Sequence, residues 1–579
     1  MVTYADKPWL KSYDDQMPKE VTFPDVPLHQ FLKDTAKRSP QATALITTAK
    51  LPILGRMANR TTYAELDRAS DAMAAAFVDL GLQKGDKVAM VMPNCVQFAV
   101  TFFAILKAGG VVAATNPTYP PKRMGHQIDD SDAKIIVTLT LFYNTIKEIQ
   151  GETKAKTVIV ANIKEPLPGL AKLLFTIARE KKDGHYLENV KSGDYWFQDL
   201  LTKYDGKQVN VDVSPQDLAL FQYTGGTTGV SKAAMARHSA LVANMIQLKS
   251  LVDIIGTPDE DEIFLGAVPM FHVYGLVAML CLSVYKGSQV VLIPNPRDID
   301  ELVENIVHFK ATLFPGVPAL YNAINNHPKV LSGEADLSSL QFCISGSAPL
   351  PRATKEEFER LTGAAVREAF GMSEAPTGTH CNPIHKENRT GSIGLPLPNM
   401  EMRIVSLDDG ETDVPIGEIG ELVMSGPNIM VGYHGMPTET ANVIREKEGK
   451  RWLYTGDIAK MDEDGYFYIV DRKKDMALIG GFNVYPAEVE DAIKSHSAVL
   501  EVGVAAIPHP EKEGQEALKA WIVKKPGMDV TAEEIIKHCK DYLAPYSIPR
   551  RIAFIDELPK SAVGKTLRRE LIRMETEGS

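Results

Sequence analysis

A repeated strand–helix–strand order is the feature that most limits the folds open to this chain. A capping box at Thr62 and Glu65 opens a helix predicted to run to residue 80. A strand at residues 88–92, a helix at 94–107 and a strand at 111–114 follow. Because one helix connects two neighbouring strands, this order predicts a parallel pair with a crossover helix. We therefore expect an α/β protein.

The pattern continues along the chain and changes near its C-terminus. Further strands are predicted at residues 135–138, 158–161 and 290–293. After Pro486 a short helix, two strands, a second capped helix and a last strand are typical of a small α+β unit. At 579 residues the chain is too long for one compact core. We predict a large N-terminal domain of several subdomains, with mostly parallel sheets flanked by helices, and a small mobile C-terminal α+β domain.

Charge and cysteine content exclude several classes of protein. The net charge of −11 argues against general binding to nucleic acid, which requires a basic surface. The five cysteines are scattered and lack metal-ligand spacing, so we expect buried free thiols in a reducing compartment. The first residues lack the apolar core of a secretory signal, and no apolar stretch is long enough to span a membrane. The expected location is the cytoplasm.

A basic, apolar stretch at residues 170–182 has two interpretations. It fits a surface helix with one face buried on the core, which is the interpretation that we favour. It also fits an interfacial helix that contacts the inner face of a membrane, where a water-insoluble substrate would be found.

The segment at residues 223–232 is the most informative part of the sequence. It reads Tyr-Thr-Gly-Gly-Thr-Thr-Gly-Val-Ser-Lys and follows an apolar strand. Glycines let backbone N–H groups converge on an anion, hydroxyls add donors, and the lysine adds a positive charge. The spacing is not that of a Walker A loop. The segment therefore predicts a phosphate-binding loop of another kind.

Six more segments accompany this loop. They are residues 345–350, 368–374, 454–457, 462–475, 480–486 and 558–565. Together with the loop they resemble the motifs of the adenylate-forming enzymes, which include acyl-CoA synthetases, peptide-synthetase adenylation domains and beetle luciferases. The loop departs from the family's pattern at Gly226, Ser231 and Ala233, where the family has serine, proline and glycine. The resemblance covers almost the whole chain and is closest to bacterial long-chain fatty acid:CoA ligases.

The resemblance implies an ATP site and a magnesium site. The residues that it assigns to ATP or AMP are Thr224, Gly225, Gly226, Thr227, Thr228, Gly229, Lys232, Gly346, Ser347, Ala348, Glu368, Phe370, Gly371, Met372, Ser373, Asp457, Ile469, Arg472 and Lys565. Phe370 would stack on adenine, Asp457 would accept the ribose hydroxyls, and Thr224 and Glu374 would hold Mg²⁺.

The resemblance also implies a small domain that rotates between two half-reactions. It places a hinge at Lys474, dividing an adenylation domain at residues 1–473 from a lid at 474–579. Lys565 would serve acyl-adenylate formation, and Gly480 and Gly481 would line the route of the CoA thiol. His272 would gate the acyl pocket. Small and apolar residues would line the tunnel for the acid: Gly316, Val317, Pro318 and Ala319.

The function implied is ATP-dependent fatty acid:CoA ligation, with ATP, Mg²⁺ and CoA as cofactors and cosubstrates. Lys565, Glu374 and His272 are the expected catalytic residues. One alternative is an adenylating enzyme that acts on an aryl or other acid or delivers its acyl group to a carrier protein. Another is a non-catalytic fatty acid-binding or uptake protein. A homodimer and peripheral membrane contact are further expectations.

Overall fold

The protein is described by a computed structural model of residues 2–51, 55–224, 231–479, 482–509, 516–561 and 564–577, with the backbone alone at residues 51, 483 and 577. Its strands are β1 (Thr43–Leu51), β2 (Gly55–Thr62), β3 (Lys87–Val91), β4 (Val111–Thr115), β5 (Ala133–Leu139), β6 (Thr157–Ala161), β7 (Tyr195–Trp196), β8 (Leu218–Tyr223), β9 (Ala233–Arg237), β10 (Ile263–Gly266), β11 (Gln289–Leu292), β12 (Leu313–Gly316), β13 (Phe342–Ser345), β14 (Ala365–Met372), β15 (Ala375–Cys381), β16 (Leu395–Pro396), β17 (Glu401–Val405), β18 (Gly420–Ser425), β19 (Gly432–Tyr433), β20 (Ile444–Lys447), β21 (Lys450–Met461), β22 (Phe467–Arg472), β23 (Ala477–Ile479), β24 (Phe482–Val484), β25 (Val499–Pro508), β26 (Glu516–Lys524) and β27 (Arg551–Phe554).

The α-helices are α1 (Gln30–Arg38), α2 (Tyr63–Asp79), α3 (Val96–Lys107), α4 (Pro121–Asp130), α5 (Thr140–Ile149), α6 (Gly169–Ala178), α7 (Phe197–Lys203), α8 (His238–Val252), α9 (Val273–Gly275), α10 (Leu282–Lys286), α11 (Ile299–Phe309), α12 (Pro318–Asn325), α13 (Pro328–Leu331), α14 (Arg352–Thr362), α15 (Pro437–Val443), α16 (Pro486–Lys494), α17 (Ala532–Cys539) and α18 (Arg568–Glu577). A π-helical segment, Leu276–Cys281, joins α9 to α10.

The first sheet contains the predicted strand–helix–strand unit. Its strands run in the order β19-β9-β8-β4-β3-β5-β6-β7. β3 and β4 are parallel, with Val88 opposite Val112, and α3 connects them, so the prediction of an α/β fold is confirmed. α3 is buried on every side, as its almost uniformly apolar sequence requires. β8 and β9 form an antiparallel pair joined by the predicted phosphate-binding loop.

The second sheet supplies the opposite wall of the large domain. Its strands run in the order β16-β15-β14-β13-β12-β10-β11-β1-β2, and within it β14, β13, β12 and β10 run parallel to one another. The antiparallel pair β14–β15 turns at Glu374. Within this pair, a Cβ on Gly371 would lie 1.5 Å from the backbone oxygen of Thr377, so only glycine fits there.

A third sheet leads into the small C-terminal domain. It has the order β17-β18-β21-β20, and β22 also pairs with β21. Beyond β22 lie the β23–β24 hairpin and a three-stranded sheet, β25-β26-β27, with α16 and α17 packed beside it. This unit has its own core, which includes Val489, Ile493, Ile522 and Ile535. The expected pairing of a large domain with a small α+β domain is confirmed.

Several local predictions can be compared with the structure directly. The Thr62 hydroxyl accepts a hydrogen bond from the backbone N–H of Glu65 at 3.2 Å, and the Glu65 carboxylate accepts one from the N–H of Thr62 at 2.8 Å. This capping box opens α2 as predicted. All five cysteines are buried free thiols, also as predicted. Among the helices of the described residues, none is both long and apolar enough to cross a bilayer.

The expectation that helix α6 buries its apolar face on the core is wrong. Of its residues only Ala171 is buried. Leu170, Leu173 and Ile177 are 46%, 55% and 75% exposed. An amphipathic sequence specifies that a face is apolar, but it does not specify what covers that face.

Asp14 ties the N-terminal segment to the chain that follows β15. Its buried carboxylate accepts hydrogen bonds from the backbone N–H groups of Ile384 at 2.6 Å, His385 at 2.9 Å and Lys386 at 2.7 Å. These three hydrogen bonds hold residues 384–386 in place. The same residues follow β15, which begins just after Glu374.

We expect Asp14→Asn to destabilise the large domain by about 1–3 kcal/mol, because an amide NH₂ would face an N–H donor and leave it unsatisfied. The midpoint of urea unfolding, followed by tryptophan fluorescence, measures this. Asp15→Asn is the matched control, since the Asp15 side chain is 86% exposed. Equal midpoints for the two variants would contradict the role given to Asp14.

Candidate active site

The predicted phosphate-binding loop lies at the end of the antiparallel pair β8–β9. Thr224 and Lys232 flank the loop, and the N–H of Thr224 donates to the backbone oxygen of Lys232 at 2.9 Å. The intervening site residues Gly225, Gly226, Thr227, Thr228 and Gly229 lie outside the described residues. The structure thus brings together the two ends of the loop, and the roles of its central residues stay predictions.

Lys232 is joined to Glu374 through residues that the sequence reasoning missed. The Lys232 ammonium forms an ion pair with Glu439 of α15 and lies 5.2 Å from the centre of the Tyr433 ring. The Tyr433 hydroxyl donates to Oε1 of Glu374 at 2.8 Å. Burial, and then the charge of Glu374, raise the pKa of Tyr433, so its hydroxyl stays a donor. Neither Tyr433 nor Glu439 belongs to a segment with a recognisable phosphate-binding pattern.

The environment of Glu374 fits a magnesium ligand. It lies at the turn between β14 and β15, and its backbone oxygen accepts from the N–H of Met430 at 2.9 Å. In the part of the chain that the structure describes, Tyr433 is the one hydrogen-bond partner of its carboxylate, so Oε2 is available to a hard cation. Thr224 is partly exposed at the mouth of the loop. The ligand roles of Thr224 and Glu374 stay predictions.

Two predicted adenine-site segments meet where β13 pairs with β14. Ser345 is opposite Glu368, and the turn that follows β13 contains Gly346, Ser347 and Ala348. Ser347 has a left-handed backbone, with φ of 71°. The Tyr274 ring packs beneath Gly346, because a Cβ there would lie 3.4 Å from the ring.

Five further predicted nucleotide-site residues lie on β14 or just after it, and one of them is Gly371, whose tight packing is described above. Phe370 is partly exposed and packs edge to face against His380, with 5.9 Å between ring centres. Met372 and Ser373 are partly exposed beside it. Glu368 is buried; its Oε1 accepts from the N–H of Gly391 at 2.9 Å, and burial raises its pKa. Its carboxylate therefore has a structural partner besides any nucleotide.

Asp457 and Arg472 form the best defined part of the site. They are opposite each other on β21 and β22, and Arg472 Nε lies 2.5 Å from Asp457 Oδ1. Asp457 is 1% exposed, and its Oδ2 has no hydrogen-bond partner among the residues that the structure describes. A buried carboxylate oxygen that lacks a donor is costly unless a ligand supplies one. Ile469 lies three residues before Arg472 on β22, partly buried.

The small domain brings Lys565 to this pair. Gly564 packs against the large domain, since a Cβ on it would lie 3.6 Å from the Cβ of Ala319. The Lys565 residue is still exposed to solvent at the cleft, although protein atoms around its ammonium group displace part of its water. The resulting loss of hydration, together with the charge of Arg472, lowers the pKa of Lys565 to about 8, against the opposing effect of Asp457. Loss of hydration and Arg472 also lower the pKa of Lys474.

Arg568 determines how the tail that carries Lys565 is attached. Its guanidinium donates to Asp471 at 2.9 Å, to Asp475 at 3.1 Å and to Glu490 at 2.9 Å. From the sequence this arginine could equally be a solvated surface charge. Only the fold reveals its three partners, which are 78 to 97 residues away along the chain.

The predicted acyl gate and tunnel lie beside the turn after β13. His272 Nδ1 accepts from the N–H of Tyr274 at 3.3 Å, and burial lowers the His272 pKa to about 4, so the ring is uncharged at neutral pH. The Tyr274 hydroxyl donates to the backbone oxygens of Ile344 at 2.8 Å and Gly316 at 3.3 Å. Val317, Pro318 and Ala319 continue from Gly316 into α12. Gly480 and Gly481 lie outside the described residues.

The fold and these grouped side chains define a class of protein: an α/β protein whose small domain closes over a cluster of carboxylates and cations. Comparison with known proteins gives the family. The chain belongs to the AMP-binding enzyme family, whose model matches residues 32–434, and the model of the AMP-binding enzyme C-terminal domain matches residues 488–565.

Relatives resemble the chain over its full length. A long-chain-fatty-acid–CoA ligase of Bacillus subtilis (strain 168) is 37% identical over 99% of both chains. One of Yersinia pestis is 38% identical over 98% of both. The crystal structure of ATP-bound MatB from Rhodopseudomonas palustris has a TM-score of 0.81 at 28% identity, covering 96% of this chain and 99% of that one. A long-chain-fatty-acid-CoA ligase from Archaeoglobus fulgidus has a TM-score of 0.68 at 25% identity, over 94% and 99%.

We expect Glu439→Gln to lower the KM for ATP by about two- to fivefold at low salt. A phosphate must compete with Glu439 for Lys232, and an ion pair this exposed is worth up to about 1 kcal/mol. Steady-state kinetics at two salt concentrations measure the change, which high salt should reduce. Glu446→Gln removes the same charge from exposed strand β20 and should leave KM unchanged. A higher KM in Glu439→Gln would mean that Glu439 positions Lys232 for ATP.

Proposed function

We propose that this chain is an ATP-dependent fatty acid:CoA ligase. The acid's carboxylate attacks the α-phosphorus of ATP, which forms an acyl-adenylate and releases pyrophosphate. The CoA thiol then attacks the acyl carbonyl, which forms the acyl-CoA and releases AMP. The observation that best supports the first step is the buried Asp457 carboxylate, whose Oδ1 is held by Arg472 and whose Oδ2 has no donor in the described part of the chain. A ribose diol supplies the missing donors.

The site residues are proposed to act through position and charge. An in-line displacement at phosphorus requires alignment and charge neutralisation more than covalent help. Lys232 and the loop before it bind phosphate oxygens, and Lys565 neutralises the reacting carboxylate and the α-phosphate. Phe370 and the turn at Gly346–Ala348 enclose the adenine. Thr224 and Glu374 would hold Mg²⁺, which supplies further neutralisation of the phosphates when bound.

A lid that rotates about Lys474 is part of the proposal. Residues 1–473 would form the adenylation domain and residues 474–579 the lid. The contact of Gly564 with Ala319 and the influence of Asp457 on Lys565 support an orientation suited to adenylate formation. Gly480 and Gly481 would approach the acyl-adenylate after rotation and admit CoA.

The fatty nature of the acid is supported by the three long-chain-fatty-acid–CoA ligases named above. A cytoplasmic location, peripheral contact with the membrane and a homodimer are further proposals, and light scattering at micromolar concentration would test the homodimer.

Release of AMP and pyrophosphate with Mg-ATP tests the function, using acids from acetate to palmitate plus benzoate, each with and without CoA. Turnover that requires CoA and is fastest with a fatty acid supports the ligase. Release without CoA would favour delivery to another acceptor such as a carrier protein, and a maximum on benzoate would favour an aryl acid. No release with any acid would favour a binding protein that has kept the fold.

We expect kcat/KM for adenylation to fall as pH rises through about 8. Lys565 is a cation below its lowered pKa and loses its charge above it, and kcat/KM follows ionisation of the free enzyme. Acid-dependent exchange of pyrophosphate into ATP measures adenylation without CoA, whose thiol also titrates in this range.

In Lys565→Arg the residual activity should show this decline only at a much higher pH, since a guanidinium keeps its charge. Lys560→Arg in the same tail is the matched control and should keep the wild-type profile; Lys560 pairs with Glu501 instead. The assignment fails if Lys565→Arg retains the decline near pH 8.

A further inference from the structure

Helix α6 carries three large apolar side chains that the described chain leaves uncovered. Leu170, Leu173 and Ile177 are spaced three and four residues apart, so they lie on one side of the helix. More than half of Leu173 and three quarters of Ile177 are exposed. Side chains of this size are common singly on protein surfaces, but a row of them on one helix face marks an interaction site.

Two further exposed apolar side chains belong to neighbouring segments. Leu141, at the start of α5, is 41% exposed and lies beside the turn after α6, because a Cβ on Gly184 would be 3.2 Å from Leu141 Cδ1. Tyr186 is 49% exposed. We call Leu141, Leu170, Leu173, Ile177 and Tyr186 the α6 patch.

Basic residues accompany the patch, although the whole chain has a net charge of −11. Residues 169–182 include Lys172, Arg179, Lys181 and Lys182, and their one acidic residue, Glu180, is buried in an ion pair with Lys164. Lys172 and Arg179 pair with Glu165 and Asp183.

Lys181 and Lys182 have no ion-pair partner among the described residues. Instead, Lys181 lies 4.5 Å from the centre of the Tyr186 ring. An apolar helix face that ends in lysines is complementary to a bilayer of acyl chains below anionic headgroups.

We propose that the α6 patch docks the protein on an anionic lipid bilayer. Leu170, Leu173 and Ile177 insert at the level of the upper acyl chains, and Lys181 and Lys182 contact lipid phosphates. Docking itself is inferred from the exposed side chains and their charges. Its use, which is to collect a water-insoluble acid from the membrane, rests on the proposed function.

Co-sedimentation of the full chain with vesicles tests the docking. One set of vesicles contains phosphatidylglycerol in phosphatidylcholine, and the other is phosphatidylcholine alone. We expect binding to the anionic vesicles that weakens with salt and falls about tenfold or more in Leu173→Glu/Ile177→Glu. Leu331→Glu is the matched control, because Leu331 is 57% exposed on helix α13, and it should bind like the wild type. Lys181→Ala/Lys182→Ala should lose most of the preference for anionic lipid.

Turnover of octanoate, which is water-soluble, separates docking from catalysis. Leu173→Glu/Ile177→Glu should turn over octanoate like the wild type, and it should be slower only with palmitate supplied in anionic vesicles. Absence of wild-type binding to vesicles, or unchanged binding in the double variant, would overturn the proposal. A change in oligomeric state of the double variant by light scattering would also overturn it, since the patch would then join copies of the chain. If the wild type itself does not turn over octanoate, that result would instead count against the proposed function.

Discussion

Arg568 donates hydrogen bonds to three carboxylates that come from both sides of Lys474. Asp471 lies near the end of β22 and precedes Lys474, whereas Asp475 and Glu490 come after Lys474. Asp471 also accepts from the N–H of Ala487, at the start of α16, at 2.8 Å. Buried ion pairs add little over apolar packing, but removal of one partner leaves charges uncompensated. This cluster therefore restricts the small domain to orientations that keep Asp471 beside Arg568, and the position of Lys565 depends on it.

The cations at the cleft are arranged so that a bound polyphosphate would neutralise part of their charge. Arg472 and Lys474 lie close enough to Lys565 to lower its pKa, Arg472 also lowers the pKa of Lys474, and Asp457 offsets only part of that repulsion. Lys232 is neutralised by Glu439. An anionic ligand would reduce the repulsion among Lys565, Arg472 and Lys474. It would also compete with Glu439 for Lys232. Such a site stabilises negative charge on a ligand with groups that are already in place. This is the preorganisation that charge-stabilising catalysis requires.

The sequence was sufficient to predict elements whose signals are local. The capping box at Thr62 and the strand–helix–strand unit that includes β3, α3 and β4 follow from spacing and periodicity over a few residues. The surroundings of α6 were predicted wrongly, because the burial of an apolar face depends on which other parts of the chain reach it. Tyr433, Glu439 and Arg568 were missed for a related reason. The Lys232–Glu439 pair joins residues 207 apart, and no local pattern encodes such a distance.

Residues close in sequence can therefore have unrelated roles in this fold. Lys565 faces the cleft, whereas Arg568, three residues later, faces the interior of the small domain and attaches it. The proposed rotation of the small domain requires a contact that is specific but breakable. The Arg568–Asp471 contact has that character, because it is the part of the cluster that crosses Lys474. If the small domain rotates there, Asp475 and Glu490 travel with Arg568 and keep it paired, so only the contacts to Asp471 have to break.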